Sequence, residues 1–198
     1  MEIKKEKEFI FGEATRDVTF SSERKFKDEV QAEQEFLRSI SKLFDPDRWS
    51  DLPGITSTFE FHDENGIRKP SGKPIEGDHI KIRLPGIPID HWVRVIDVKD
   101  EPTNAEFTVS PSTDPTSTDP GVKHFFVKEA TSKFKVELLL DTIHAYEIGV
   151  NEAINNKGEE AGDRKLINTL IAEGGWAGFQ KLQWEKLTNY LVHNIEIE

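Results

Sequence analysis

Residues 176–191 read WAGFQKLQWEKLTNYL, and the apolar residues in this stretch recur at helical spacing. Phe179, Leu187 and Tyr190 fall on one stripe, which Leu191 extends and Trp184 borders. A stripe of this kind needs an apolar surface to cover it, because water solvates large apolar side chains poorly. We therefore predict a long C-terminal helix that packs against a sheet.

The sheet itself is predicted upstream, where the hydrophobic period is that of strands. Turn signals such as Asn65-Gly66 separate the strands, since both residues tolerate positive φ. A turn at Asp141-Thr142 reverses the chain between the last two strands. The alternating segments are Phe9–Phe20, Ile55–His62, His79–Leu84, His91–Val98, Ala105–Val109, Lys133–Leu140 and Ile143–Glu152. They predict seven strands in one antiparallel meander.

Helical spacing also follows the first predicted strand. Ser21 and Ser22 can cap a helix there, because a hydroxyl accepts from the free N–H groups of a first turn. Asp45-Pro46 ends it, and a short second turn follows at Pro46–Asp51. The predicted buried stripe of the Ser22–Phe44 helix is Phe26, Val30, Leu37, Ile40 and Phe44. Further along, we predict a loop at Asn155–Asp163 and a helix at Arg164–Ala172.

Composition excludes several classes of function. The 198 residues carry 35% hydrophobic residues, including 13 Phe and 4 Trp, which is enough for one domain with an aromatic core. The net charge of −11, with no cluster of Lys and Arg, argues against binding nucleic acid or anionic membranes. The absence of Cys excludes disulfides, a thiolate nucleophile and Cys-based zinc sites.

The chain is also predicted to be cytoplasmic and not inserted in a membrane. Residues 1–8 are charged and lack the apolar run of a secretory signal. No window approaches the roughly 20 apolar residues of a membrane helix. The six His residues show no pair at ligand spacing on one element, so no metal site is predicted.

The order of elements, together with several local phrases, resembles the START-like superfamily, also called SRPBCC. The resemblance spans nearly the whole chain, treated as the single domain 1–198. Two departures are a longer first helical segment and an insertion at 155–175. The phrases are FDPDRWSDLPG at 44–54, GDHIKI at 77–82, and GWAGF at 175–179 with Leu182, Leu187 and Tyr190-Leu191. The last is similar to the ending of polyketide-cyclase-like and heat-shock-ATPase-activator-like members.

The resemblance implies an α+β helix-grip fold, in which a curved seven-stranded antiparallel sheet wraps around the long C-terminal helix. It implies an apolar cavity between them, which we expect to hold several hundred Å³. Members bind lipids, sterols, plant hormones or polyketides, so a small hydrophobic ligand is the implied partner and no cofactor is expected. No catalytic residue is shared across the superfamily. A cyclase or dehydratase, a co-chaperone-like partner-binding module and a purely structural protein stay open as alternatives, as does a homodimer.

Ligand-binding candidates come from polar residues on apolar faces. Gln180 and Gln183 lie with Trp176 near the middle of the helical stripe, where they either line the cavity or bond to the sheet. Arg16 interrupts the apolar face of the first strand. Arg94 shares a face with Trp92, Ile96 and Val98 in another strand. An inward Arg could anchor an acidic ligand group, although long side chains also reach solvent from such positions.

The last strand adds His144 and Tyr146, which share one face and could perform acid–base work on a ligand. Glu147 points the other way by strand alternation, so a His144–Glu147 dyad is not expected. Ordinary core or surface roles for His144 and Tyr146 are the alternative. No catalytic residue is assigned.

Overall fold

The computed structural model describes residues 16–54, 57–85, 90–118, 129–152 and 175–197. For Arg16 and residues 175–177 it describes the backbone alone. The loop predicted at Asn155–Asp163, the helix predicted at Arg164–Ala172 and the Phe9–Thr15 part of the predicted first strand lie outside these ranges.

Seven strands form one antiparallel sheet. Their order is β1-β7-β6-β5-β4-β3-β2, so β2 to β7 follow one another as a meander and β1 joins beside β7. The seven-stranded antiparallel prediction is confirmed. The strands are β1 Arg16–Lys25, β2 Thr58–His62, β3 His79–Arg83, β4 Asp90–Glu101, β5 Asn104–Ser112, β6 Thr131–Leu139 and β7 Thr142–Glu152.

The first helix, α1, spans Glu29–Leu43 and begins later than predicted. Ser21 and Ser22 belong to β1, where they pair with Tyr146 and Ala145 of β7, so the prediction that they cap α1 is wrong. Asp28 is the N-cap: its Oδ1 accepts from the backbone N–H of Gln31 at 2.9 Å. Pairing with β7 keeps this part of the chain extended, which local propensity does not reveal.

The buried face of α1 also differs from the predicted stripe. Ala32, Phe36, Ser39 and Leu43 are buried, whereas Val30 and Leu37 are 64% and 66% exposed. Small residues on the buried side let the helix approach the sheet closely. A 3₁₀ helix at Pro46–Asp51 then confirms the predicted short turn.

The long C-terminal helix, α2, spans Gly175–Leu191 and packs against β1, β7 and α1. We call the side of the sheet that the helices cover its inner face. Trp49, from the 3₁₀ helix, is 1% exposed and packs against the rings of Phe107 and Phe134, with centroid distances of 6.0 and 4.9 Å. Trp184 of α2 reaches the same cluster, 5.5 Å from Phe134.

These contacts establish the helix-grip arrangement predicted for the chain. The aromatic cluster joins the inner face to α2 at Trp184. Within the described ranges, neither helix is long and apolar enough to cross a bilayer.

Candidate functional site

The two glutamines of α2 are buried, as predicted. Gln180 is 1% exposed and Gln183 is 5% exposed. The side-chain amide of Gln180 donates to Oε2 of Glu152, at the end of β7, at 2.8 Å. The carbonyl oxygen of Gln183 accepts from the hydroxyl of Ser57, just before β2. Both glutamines therefore bond to residues in or next to the strands, as one of the two alternatives predicted. The other alternative, contact with a ligand in a cavity, stays a prediction.

Strand β7 carries an unexpected acid on the inner face of the sheet. Ile143, Ala145 and Glu147 alternate on its inner face, and each is 0% exposed. Glu147 lies between Phe20 of β1 and Phe134 of β6 in the strand pairing. A carboxyl group therefore occupies a position where the alternation of the strand calls for an apolar side chain.

The Glu147 carboxyl group is poorly satisfied. Neither of its oxygens has a hydrogen-bond partner among the described residues. Burial raises its pKa well above the ordinary value of 4.5, and the neighbouring carboxyl of Glu152 acts in the same direction. The nearby Ser132 hydroxyl opposes this pKa increase but does not meet hydrogen-bond geometry. The uncharged form of Glu147 is therefore favoured.

Glu152 reaches the same interior region through an irregular end of β7. Asn151 has a φ of 54°, and this left-handed residue breaks the strand alternation. Glu152, the next residue, is 1% exposed. Its side chain lies over Gly149, where an added Cβ would be 2.3 Å from Oε1 of Glu152. We call Ser132, Glu147, Glu152 and Gln180 the interior carboxyl cluster.

A second titratable group on the inner face is His91 of β4. It is 5% exposed and shares its face with Val93 and Val95. Burial lowers its pKa from 6.5 to about 4. His91 is therefore uncharged near neutral pH, so it adds no positive charge to the interior.

Strand β4 places Arg94 and Trp92 on the outer face. Val93 and Val95 point inward, and a β-bulge between Val95 and Asp97 returns Val98 to the inner face. The predicted shared face of Arg94 with Val98 is therefore wrong, because the bulge shifts the alternation by one residue. Arg94 is exposed. Trp92 is buried against the rings of two outer-face histidines, His62 and His79, at 4.9 and 6.3 Å.

His144 and Tyr146 also face outward, away from α2. Their rings stack at 6.3 Å, and Nδ1 of His144 lies 3.3 Å from Oε2 of Glu23. Glu147 does point the other way, as the alternation predicted. The structure thus does not bring His144 and Tyr146 together with Gln180. The side chains of Arg16 and Trp176 lie outside the described part of the chain.

Glu147 was missed as a candidate, although the sequence carries a signal for it. An acid at an inward position between Ala145 and Gly149 is the same kind of anomaly as the two glutamines of α2. Whether an acid at this position is buried depends on what covers the inner face, and the sequence alone does not show how α2 packs there. The cavity predicted between α2 and the sheet stays a prediction.

An open surface cleft lies at the connection between β2 and β3, outside the interior carboxyl cluster. Its volume is about 350 Å³, and its lining includes Asp63, Glu64, Arg68 and Lys69. Asp78, at its floor, is held by Lys69 and by the backbone N–H of Ile75, at 2.7 and 3.0 Å. These contacts brace the loop. No group of three potential ligands for a metal ion occurs within the described ranges.

The fold resembles that of a solved protein over nearly the whole chain. No family model matches the chain, and neither does any curated protein. A solved hypothetical protein from Helicobacter pylori is similar over 93% of this chain and 92% of its own, with 10% identity and a TM-score of 0.54. Norcoclaurine synthase from Thalictrum flavum covers 94% and 93%, with 15% identity and a TM-score of 0.41. Ara h 8.0201 covers 90% and 100%, with 14% identity and a TM-score of 0.39.

The chain therefore has an α+β helix-grip fold, in which a seven-stranded antiparallel sheet packs against the long C-terminal helix. The expected fold class is confirmed. At these identities the likeness concerns the fold alone.

Proposed function

We propose that this protein binds a small hydrophobic ligand, lipid-like, aromatic or polyketide-like, between α2 and the inner face of the sheet. The observation that carries the proposal is the Glu147 carboxyl, which is 0% exposed and has no hydrogen-bond partner in the described part of the chain. Ligand sites of this kind are mostly apolar and contain a few polar groups that orient the ligand.

The buried Glu147 carboxyl destabilises the protein unless a hydrogen-bond partner reaches it. A buried polar group without a partner costs about 1–3 kcal/mol. A leucine at this position would pack beside Phe20 and Phe134 without that cost. A bound molecule that hydrogen-bonds to Glu147 would offset the cost, and this supports a binding role for the interior carboxyl cluster.

Two alternatives have weaker support. A cyclase or dehydratase was expected to place His144 or Tyr146 inside, beside an Arg, and both residues face outward. A co-chaperone-like module was expected to expose an apolar patch on the sheet. The exposed large apolar side chains of the described strands are Ile96 on β4, Leu139 on β6 and Val150 on β7. Leu139 and Val150 lie at opposite ends of the β6–β7 pair, so they do not form one patch. Cytoplasmic location and a homodimer stay proposals.

Native mass spectrometry of protein purified from cells tests the proposal. We expect a retained small molecule, or uptake of the uncharged fluorescent probe Nile red with an emission shift to shorter wavelength. The variant Ser132→Phe should block uptake, because Ser132 lies beside Glu147 on the inner face. Thr108→Phe, on the outer side of β5, is the matched control.

Circular dichroism establishes that both variants are folded. Absence of any co-purified molecule together with absence of probe uptake by the unaltered protein would contradict the proposed function. Equal uptake by the Ser132 variant would place the bound probe elsewhere.

A further inference from the structure

The chemistry of the interior carboxyl cluster restricts the polar end of the ligand, provided that the proposed binding function holds. The cluster lies around the C-terminal end of β7 and consists of Ser132, Glu147, Glu152 and Gln180. Gln180 already donates to Glu152. The two carboxyl oxygens of Glu147 have no hydrogen-bond partner among the described residues.

An acidic ligand group fits this region poorly. A ligand carboxylate would be buried beside the side chains of Glu147 and Glu152, and burying a charge that is not paired with an opposite charge is costly. Arg94, which sequence alone would have offered as an anchor, is on the outer face. Lys99 and Lys133 are also engaged there, since both hold Glu106, at 2.9 and 3.0 Å.

A cationic ligand group fits less well than an uncharged one. An ammonium group pairs best with an ionised carboxylate, and burial among Phe20, Phe134 and Ala145 favours the uncharged acid at Glu147. An uncharged carboxylic acid carries an O–H donor. The complementary partner of that donor is an uncharged oxygen with a free lone pair.

We infer that the ligand carries an uncharged oxygen acceptor, such as a ketone or aldehyde carbonyl, which accepts a hydrogen bond from the Glu147 carboxyl group. The apolar remainder of the ligand lies between α2 and the inner face. Four probes on one aromatic skeleton separate the possibilities: 2-acetylnaphthalene, 2-ethylnaphthalene, 1-(2-naphthyl)ethylamine and 2-naphthoate. Equilibrium dialysis measures the affinity of the protein for each probe.

We expect 2-acetylnaphthalene to bind roughly three- to tenfold more tightly than 2-ethylnaphthalene, as one net hydrogen bond provides. In Glu147→Leu this ratio should fall to about one while 2-ethylnaphthalene still binds. Glu147→Gln should keep a preference for the ketone, because its amide N–H also donates. The preference in the unaltered protein should weaken as the pH rises and Glu147 loses its proton.

Each contrary result has a definite meaning. Tightest binding of the amine or of the naphthoate would overturn the inference and identify a charged ligand end. Equal affinity for the ketone and the hydrocarbon in the unaltered protein would also overturn it, with the binding function intact. Absence of binding by all four probes would contradict the proposed function and this inference with it.

Discussion

Replacement of Glu147 by Leu should make the protein more stable, and increasingly so as the pH rises. At low pH the carboxyl is uncharged in both the folded and the unfolded chain. The variant then gains about 1–3 kcal/mol in free energy of unfolding, because it removes a buried group that lacks a hydrogen-bond partner among the described residues. Above a pH of about 4.5, the unfolded chain ionises at this residue while the folded chain resists. The gain then increases by about 1.4 kcal/mol per pH unit.

The sign follows from proton binding. Because burial raises the pKa of Glu147 in the folded state, the folded chain holds more protons than the unfolded chain above a pH of about 4.5. Ionisation of Glu147 therefore costs the protein no stability below that pH, and stability is lost as the pH rises towards the folded-state pKa. The stability gained by Glu147→Leu should therefore be larger at pH 7 than at pH 4.5.

Urea denaturation followed by tryptophan fluorescence, at several pH values between 3 and 7.5, measures these differences. Glu106→Gln is the matched control, because Glu106 is equally a strand glutamate with little exposure. Burial acts to raise the pKa of Glu106, but hydrogen bonds from Lys99 and Lys133 outweigh burial and hold that pKa below its usual value. Glu106→Gln should therefore destabilise the protein, and this destabilisation should disappear at low pH.

The reasoning would be refuted if Glu147→Leu were less stable than the unaltered protein across this pH range. It would also be refuted if the difference between the two proteins did not change with pH. Either result would mean that the Glu147 carboxyl has a strong partner in solution.

Further predictions concern the core and its polar contacts. His91 should titrate near pH 4 in NMR spectra, and the stability that depends on its neutral form should be lost as the pH falls from about 6.5 towards 4; an ordinary pKa would contradict its burial. Trp49→Ala should lower the free energy of unfolding by about 3–5 kcal/mol in urea denaturation, because Trp49 is 1% exposed in the aromatic cluster; a loss under about 1 kcal/mol would contradict that packing. Gln183→Leu should cost about 1–3 kcal/mol by leaving Ser57 without its acceptor, and Ser57→Ala should remove most of that cost in a double-mutant cycle. Gly149→Ala should destabilise by about 1–3 kcal/mol, since its Cβ would meet Glu152; a neutral effect would show that Glu152 lies elsewhere.

Local periodicity was sufficient for most of the fold. Seven alternating segments, one helix before the second strand and a striped C-terminal segment were each visible within windows of ten to twenty residues, and the structure contains all of these elements. The burial of Gln180 and Gln183 followed from the same helical period. Such features depend on which side chains share a face, which spacing along the chain determines.

Strand register was the main source of error in the site. Whether Arg94 faces inward depends on a bulge near Ile96, which is an adjustment between β4 and β5. Whether Ser21 and Ser22 begin a helix depends on pairing between β1 and β7, more than a hundred residues apart in the sequence. These features are long-range, so no local window contains them.

By itself, the sequence determined the seven strands, the C-terminal helix and the buried position of its two glutamines, because periodicity along one element suffices for each. Only the tertiary structure decided that His144, Tyr146 and Arg94 point away from α2, and that Glu147 is buried without a hydrogen-bond partner among the described residues. The physical reason is that a polar group becomes costly only when every surrounding surface is covered. That covering is supplied by elements distant in the chain.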